Sequence, residues 1–341
     1  MIILLLVLAV LCIWNLQISG YHDNFLSKVF TTPIKGIFTY LIFCSHIKQY
    51  VLLSSAWYDA SYLAILNYLG QLMVAMFFFY SGFGIWESFR KKPGYVRLFF
   101  KNRFIKTLLH FDVAVAIYVL VQLLIPILYS PKEYLLCWIG WESVGNSNWF
   151  IFVILCLYMI ALTAMWIHQK NGRGGIVITI AASAALWILL RMVAKRPSWW
   201  IDTIAAFPLG ALVSRFKESI IPLMNRKGWP YIMTGLGLAF FLLSHQVIGI
   251  DIYGGVTCFF CIAVVLFSSW IKIGNPVLNW LGNNAFTIYI IQRLPMIVLS
   301  SMGLHTRVWL FIPLTILMTI LLAESLSRLN ARLDKRLFAN A

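Results

Sequence analysis

A lysine and a histidine lie eleven residues apart in an apolar segment of this 341-residue chain, in a pattern that can support chemistry. Lys35 and His46 are separated by about three α-helical turns, so a helix places both on one face, with Thr39 and Ile42 between them. The helical rise separates them by about 16 Å. Histidine titrates near neutrality and can act as a general base, and lysine can bind phosphates. The spacing also fits an interfacial lysine and a histidine bonded to a neighbouring helix.

A second basic group follows in the sequence. Arg103, Lys106 and His110 have the spacing i, i+3, i+7 of one helical face, and Lys101 precedes them. Such a face can bind a polyphosphate. Basic residues that only flank the cytoplasmic end of a membrane helix give the same pattern.

A third group combines basic and aromatic residues. Arg191, Lys195 and Arg196 are followed by Trp199 and Trp200. One interpretation is a site for an anionic acceptor, with the indole rings binding sugars. The other is a tolerated basic loop beside the aromatic belt of a membrane interface.

The elements that position these residues must be membrane helices. The chain is 61% hydrophobic and 11% charged, whereas soluble globular domains are about 25% charged. The formal net charge of +16 lies in clusters between apolar runs, which favours loops facing anionic lipid over nucleic-acid binding. Cys258 and Cys261 form a CxxC without a second pair, so we expect no metal site.

Segments of about 20 apolar residues predict spanning helices. The predicted fold class is all-α: a polytopic membrane protein whose candidate spans cover residues 1–19, 33–53, 66–86, 105–128, 149–168, 175–194, 199–215, 230–246, 252–271, 283–303 and 307–327. We interpret residues 1–30 as an extra N-terminal transmembrane anchor and 31–341 as a single membrane domain.

The distribution of basic residues predicts the orientation. Alternate loops carry 20 of the 27 Lys and Arg residues, including the cluster from Arg90 to Lys106, Lys170 with Arg173, and the run from Arg328 to Arg336. Because such loops remain in the cytoplasm, we expect a cytoplasmic C-terminus, an outside N-terminus and a multi-pass protein of the plasma (bacterial inner) membrane.

Several short motifs resemble those of the type-3 membrane acyltransferases, a family of ten-helix integral membrane enzymes. They occur in the family's order: Lys35-x10-His46, Phe77 to Phe79 with Ser81-Gly82, Arg103-x-x-Lys106, Trp149-Phe150, Phe207-x-x-Gly210-x-Leu212, and the stretch from Gly282 to Gln292. Two positions depart from the pattern. Lys106 replaces an arginine, and lysine does not make the same bidentate contact; Gln292 stands where many members have histidine, so we assign it no catalytic role.

The resemblance implies an O-acyltransferase with a cytoplasmic acyl-coenzyme A donor, acetyl-coenzyme A by expectation. The acceptor is a hydroxyl of a cell-envelope polysaccharide or lipid-linked glycan. His46 is then the catalytic residue, acting by direct transfer or through an acyl-enzyme, and the coenzyme A ligands are Lys35, Lys101, Arg103 and Lys106. Ser81, Gly82 and Trp149 are supporting residues. The alternatives are a transporter or flippase of lipid-linked sugars, although no internal repeat is visible, and a non-catalytic sensing or scaffolding domain.

Overall fold

Apolar α-helices provide nearly all the regular structure in a computed structural model that describes residues 1–125, 127–172, 174–247 and 253–338. Arg173, counted above among the cytoplasmic basic residues, lies outside the described residues. The helices are α1 (Ile2–Ile13), α2 (Lys28–Ile47), α3 (Trp57–Leu69), α4 (Leu72–Lys91), α5 (Tyr95–Phe99), α6 (Lys106–Gln122), α7 (Pro131–Leu136), α8 (Trp149–Asn171), α9 (Gly175–Ile188), α10 (Ala206–Met224), α11 (Trp229–Val247), α12 (Tyr253–Ser268), α13 (Pro276–Asn283), α14 (Ala285–Ile291), α15 (Arg293–Ser301) and α16 (Val308–Leu337).

Shorter helical turns connect or extend these helices. They are the π-helical segments Phe100–Ile105 and Leu189–Val193 and the 3₁₀ turns Cys137–Ile139, Ser198–Trp200 and Leu304–Thr306. A two-stranded antiparallel ladder joins β1 (Gln17–Ile18) to β2 (Ile271–Lys272), with Gln17 opposite Lys272. The ladder ties the segment after α1 to the segment after α12.

The all-α polytopic membrane fold expected from the sequence is confirmed. Every predicted apolar segment contains helix. Within the described part of the chain, five helical stretches are long and apolar enough to cross a membrane: Trp57–Lys91, Tyr95–Gln122, Trp149–Asn171, Gly175–Val193 and Val308–Leu337.

Two predicted segments differ from the structure in continuity. The first helix has only 12 residues, about 18 Å, because the chain turns away at Asn15, whose φ is +63°. The segment predicted at 283–303 is a helical stretch over Ala285–Ser301 in which one turn residue with helical backbone angles separates α14, ending at Ile291, from α15, beginning at Arg293. Gln292 is this turn residue.

Glycine allows α4 and α10 to approach each other closely. A Cβ added to Gly82 would overlap the carbonyl oxygen of Phe207, and one added to Gly210 would overlap that of Phe79. The two backbones are therefore in direct contact. Small residues commonly serve this purpose in membrane helix pairs.

A second glycine contact joins α2 to α13. A Cβ on Gly36 would overlap the carbonyl oxygen of Leu278, and a Cβ on Gly282 would overlap that of Thr32. Gly36 directly follows Lys35 in the sequence. The helix that carries Lys35 and His46 is thus held against the C-terminal part of the chain.

We predict that Gly82→Ala destabilises the protein by about 1–3 kcal/mol, because the added methyl group overpacks a backbone contact. Gly84→Ala is the matched control on the same helix, since a Cβ there meets nothing within 4 Å. Thermal unfolding in detergent, followed by size-exclusion chromatography, measures both. Equal melting temperatures for the two variants would contradict the close-contact role of Gly82.

Candidate functional site

A cavity of about 340 Å³ lies between α2, α4, α8 and the α13–α14 segment. Lys35, Thr39 and Ile42 of α2 line one wall, so the stripe expected from their spacing faces this space. Other lining residues come from several elements: Phe77, Tyr80, Ser81, Arg103, Phe150, Tyr158, Asn283, Tyr289 and Gln292.

The wall of this cavity carries positive charge. Lys35 and Arg103 both line the cavity, and no Asp or Glu is among its described lining residues. Two cations that share a cavity without a carboxylate favour an anionic ligand. Tyr80, Ser81 and Tyr158 add hydroxyl groups to an otherwise apolar wall.

The cavity reaches His46 through Gln292. His46 itself does not line the cavity, but its Nδ1 lies 2.9 Å from the Nε2 atom of Gln292. Tyr289 packs beside it, with the two ring centroids 6.3 Å apart. α2 places His46 about 16 Å along the axis from Lys35, and Gln292 is the residue that lines the cavity and contacts the imidazole.

The Gln292 contact selects the tautomer of His46. In the observed orientation, the Gln292 amide donates to Nδ1, so the proton of a neutral imidazole is on Nε2. The Gln292 Oε1 atom is buried and has no hydrogen-bond partner in this orientation. Rotation of the amide by a half turn places Oε1 against Nδ1, which then carries the proton and leaves Nε2 as a base.

Arg293 lies directly after this contact. Its Nε donates to the hydroxyl of Tyr50 over 3.2 Å. Tyr50 follows His46 by four residues, just after α2 ends. Two adjacent residues, Gln292 and Arg293, therefore contact the end of α2 and the turn that follows it. Together they fix where that end lies relative to the cavity.

Asp334 of α16 separates the predicted basic face into two parts. Its carboxylate accepts from Lys106 Nζ at 2.6 Å and lies 2.9 Å from His110 Nε2. Neither Lys106 nor His110 lines the cavity, whereas Arg103 does. The π-helical turn Phe100–Ile105 lies just before Lys106, and it breaks the regular helical period that the spacing argument assumed.

Lys101 also lies outside the cavity wall. Its Nζ is 5.6 Å from the centre of the Phe338 ring. Of the four residues predicted to bind coenzyme A, the structure therefore places Lys35 and Arg103 together in the cavity, with Lys101 and Lys106 beside α16.

The three predicted supporting residues have different surroundings. Ser81 lines the cavity. Gly82 makes the backbone contact with α10 described above. Trp149 packs against Phe78, with ring centroids 6.5 Å apart, and its neighbour Phe150 lines the cavity.

The third basic group lies away from the cavity, and part of it is used in packing. The Arg196 guanidinium lies 3.9 Å from the Trp141 ring and 4.6 Å from that of Trp200. It also donates to the Trp141 carbonyl and the Glu142 carboxylate, each at 3.2 Å. The Trp200 ring is buried, so this cluster joins two loops.

The other members of that group are placed differently. Trp199 is exposed, and Lys195 adopts a left-handed backbone with φ of +50°. Arg191 lies in the π-helical turn Leu189–Val193.

Sequence reasoning missed two side chains that organise the site. Gln292 was assigned no catalytic role, and its contact with His46 was not foreseen. Its signal was an amide inside a predicted membrane span, where polar groups are expensive unless they have partners. Asp334 gave no such signal, because it lies in the polar end of a long helix far along the chain from Lys106.

Comparison with known families gives one match. The family model described as an acyltransferase domain matches residues 34–327, which is well over half of the chain. Searches of curated proteins and of solved structures gave no match.

We predict that Asp334→Asn lowers the melting temperature, because Lys106 and His110 lose their shared carboxylate. The effect should weaken at high salt, since the group is partly exposed and screened. Glu324→Gln on the same helix is the control, as it removes the exposed pair with Arg328. Thermal unfolding of both variants at low and high salt provides the measurement; an Asp334→Asn protein no less stable than the control would refute the prediction.

Proposed function

This chain belongs to the membrane acyltransferase family whose domain model matches residues 34–327, and from that premise we propose that it is an O-acyltransferase using acetyl-coenzyme A. The proposed acceptor is a hydroxyl of a cell-envelope polysaccharide or a lipid-linked glycan. The proposed location is the bacterial inner membrane, with the N-terminus outside and the C-terminus in the cytoplasm. Family membership favours acyl transfer over the transport of lipid-linked sugars.

One observation carries the proposal: two cations and the residue that contacts His46 line the same cavity. Lys35 and Arg103 lie in its wall, and Gln292 in the same wall hydrogen-bonds His46. Coenzyme A thioesters combine phosphate charges with a long, thin arm. The cations can bind phosphate groups. The pantetheine arm can span the roughly 16 Å that separate Lys35 from His46 along α2.

His46 is the proposed general base. Its Nε2 removes the proton from the acceptor hydroxyl while the hydroxyl oxygen attacks the thioester carbonyl. The new carbon–oxygen bond forms, the carbon–sulfur bond breaks, and the departing thiolate takes the proton back from His46. A ping-pong route uses the same atoms, with the acyl group first on the imidazole and then on the acceptor.

Gln292 is the proposed positioning residue for His46. A base at Nε2 requires the proton on Nδ1, and the Oε1 atom of Gln292 is the acceptor that holds it there once the amide has turned. The Tyr289 ring lies beside the imidazole, with centroids 6.3 Å apart, and packs in turn against Phe150 at 5.2 Å.

Because the third basic group lies away from the cavity, the proposal is that it binds a part of the acceptor remote from the reacting hydroxyl. Arg191 and Lys195 provide positive charge, and the exposed ring of Trp199 can stack on a sugar. Arg196 and Trp200 pack with Trp141, and this cluster anchors the loop that carries Lys195 and Trp199.

We predict that His46→Ala abolishes transfer, with a loss of about 10²- to 10⁴-fold as expected for a missing general base. The assay is transfer of labelled acetyl from acetyl-coenzyme A in membranes, with mass spectrometry of envelope glycans to identify the product. His305→Ala is the control, because His305 hydrogen-bonds the Ser300 carbonyl away from the cavity. Full activity in well-expressed His46→Ala protein would disprove the role of His46.

We also predict that Gln292→Ala lowers kcat about tenfold, the loss expected for one orienting hydrogen bond, with little change in the KM for the donor. Gln292→Glu retains an oxygen that can accept from Nδ1, so it should restore much of the rate. Steady-state kinetics of the three proteins test this. A change confined to KM, or no rescue by glutamate, would assign Gln292 to cavity shape instead.

A further inference from the structure

A second cavity, of about 620 Å³, lies beside the first. It is formed where the β1–β2 ladder meets the starts of α2 and α13. Its polar lining comes from residues far apart in sequence, namely Asn15, Gln17, Lys28, Lys272, Asn279 and Asn283. The ladder pairing of Gln17 with Lys272 fixes one side of this wall.

The two cavities are neighbours along two helices. Asn283 at the end of α13 lines both of them. On α2, Thr32 lines the second cavity and Lys35, less than one turn later, lines the first. A ligand that occupies both would pass Asn283 and Lys35.

The second cavity is also basic. Lys28 and Lys272 line it, and its described lining residues include no Asp or Glu. No ion pair joins either lysine to a carboxylate within the described part of the chain. Lys272 instead lies 5.6 Å from the centre of the Phe30 ring. Both ammonium groups therefore keep their capacity to bind an anion.

Amide side chains complete the wall. Asn279 and Asn283 are four residues apart on α13 and both line the cavity, so they present amides along one helical face. Each amide offers both donors and an acceptor. Lysines with several amides match a ligand that carries phosphates next to a nitrogen-rich ring.

We propose that this second cavity binds the nucleotide end of the acyl donor, the 3′-phosphorylated ADP part of coenzyme A, with Lys28 and Lys272 on its 3′-phosphate and with the diphosphate at the junction of the two cavities beside Lys35. The inference rests on the proposed function. The pantetheine arm then enters the first cavity past Lys35 and Asn283 and carries the thioester toward His46. Lys28 and Lys272 bind the donor and take no part in the chemical step.

The kinetic test compares two donors. In Lys28→Ala/Lys272→Ala protein, we expect the KM for acetyl-coenzyme A to rise about tenfold or more, because charge-assisted contacts to phosphate are lost. The KM for acetyl-pantetheine, which lacks the nucleotide, should not change. Arg226→Ala/Lys227→Ala is the control with the same loss of charge, on exposed residues that line neither cavity.

A binding test does not depend on transfer activity. Adenosine 3′,5′-bisphosphate should bind the detergent-purified wild-type protein and the Arg226→Ala/Lys227→Ala control equally, and bind the Lys28→Ala/Lys272→Ala protein about tenfold or more weakly. This result would support the nucleotide site even if no acyl transfer were detected, an outcome that would overturn only the proposed function.

Three results would overturn the inference. The first is wild-type protein that does not bind the bisphosphate. The second is equal affinity in the Lys28→Ala/Lys272→Ala protein, or equal increases in KM for both donors. The third is loss of wild-type nucleotide binding on addition of phosphatidylglycerol to the micelles, which would assign the two lysines to lipid headgroups.

Discussion

The direct contact of helix backbones at glycine is the constraint on which the site depends. Gly82 and Gly210 join α4 to α10, and Gly36 and Gly282 join α2 to α13. In lipid, apolar side chains gain little by leaving the solvent, so close packing must hold helices together. The first contact anchors α4, which carries Ser81, and the second sets the distance between α2 and α13, which carry Lys35 and Asn283. The cavity lies between α2, α4, α8 and the α13–α14 segment.

Polar groups in such a bundle need either a partner or a ligand, and the chain divides its groups between these two uses. Lys106 and His110 share the Asp334 carboxylate, and Arg196 is held between two indole rings. Lys35 and Arg103 instead line a cavity without a carboxylate among its described lining residues. The first set stabilises the bundle, whereas the second is available to an anion.

Breaks in helices place the remaining functional groups. The interruption at Gln292 turns an amide toward His46 and an arginine toward Tyr50 within two consecutive residues. The π-helical turn before Lys106 separates Arg103 from the next basic residues. Irregular backbone of this kind is tolerated in a membrane only where protein or a cavity covers it, and Gln292 is fully buried.

The sequence by itself determined the membrane class, the positions of the apolar segments and the stripe of Lys35, Thr39 and Ile42, because hydropathy and helical period are local properties. The order of short motifs identified the family. Only the tertiary structure decided which helix faces contact each other. It shows that Gln292 contacts His46, that Lys106 pairs with Asp334 outside the first cavity, and that Lys28 and Lys272 line a second cavity. These contacts join residues far apart in the chain. Periodicity describes each helix alone and carries no information about its partner.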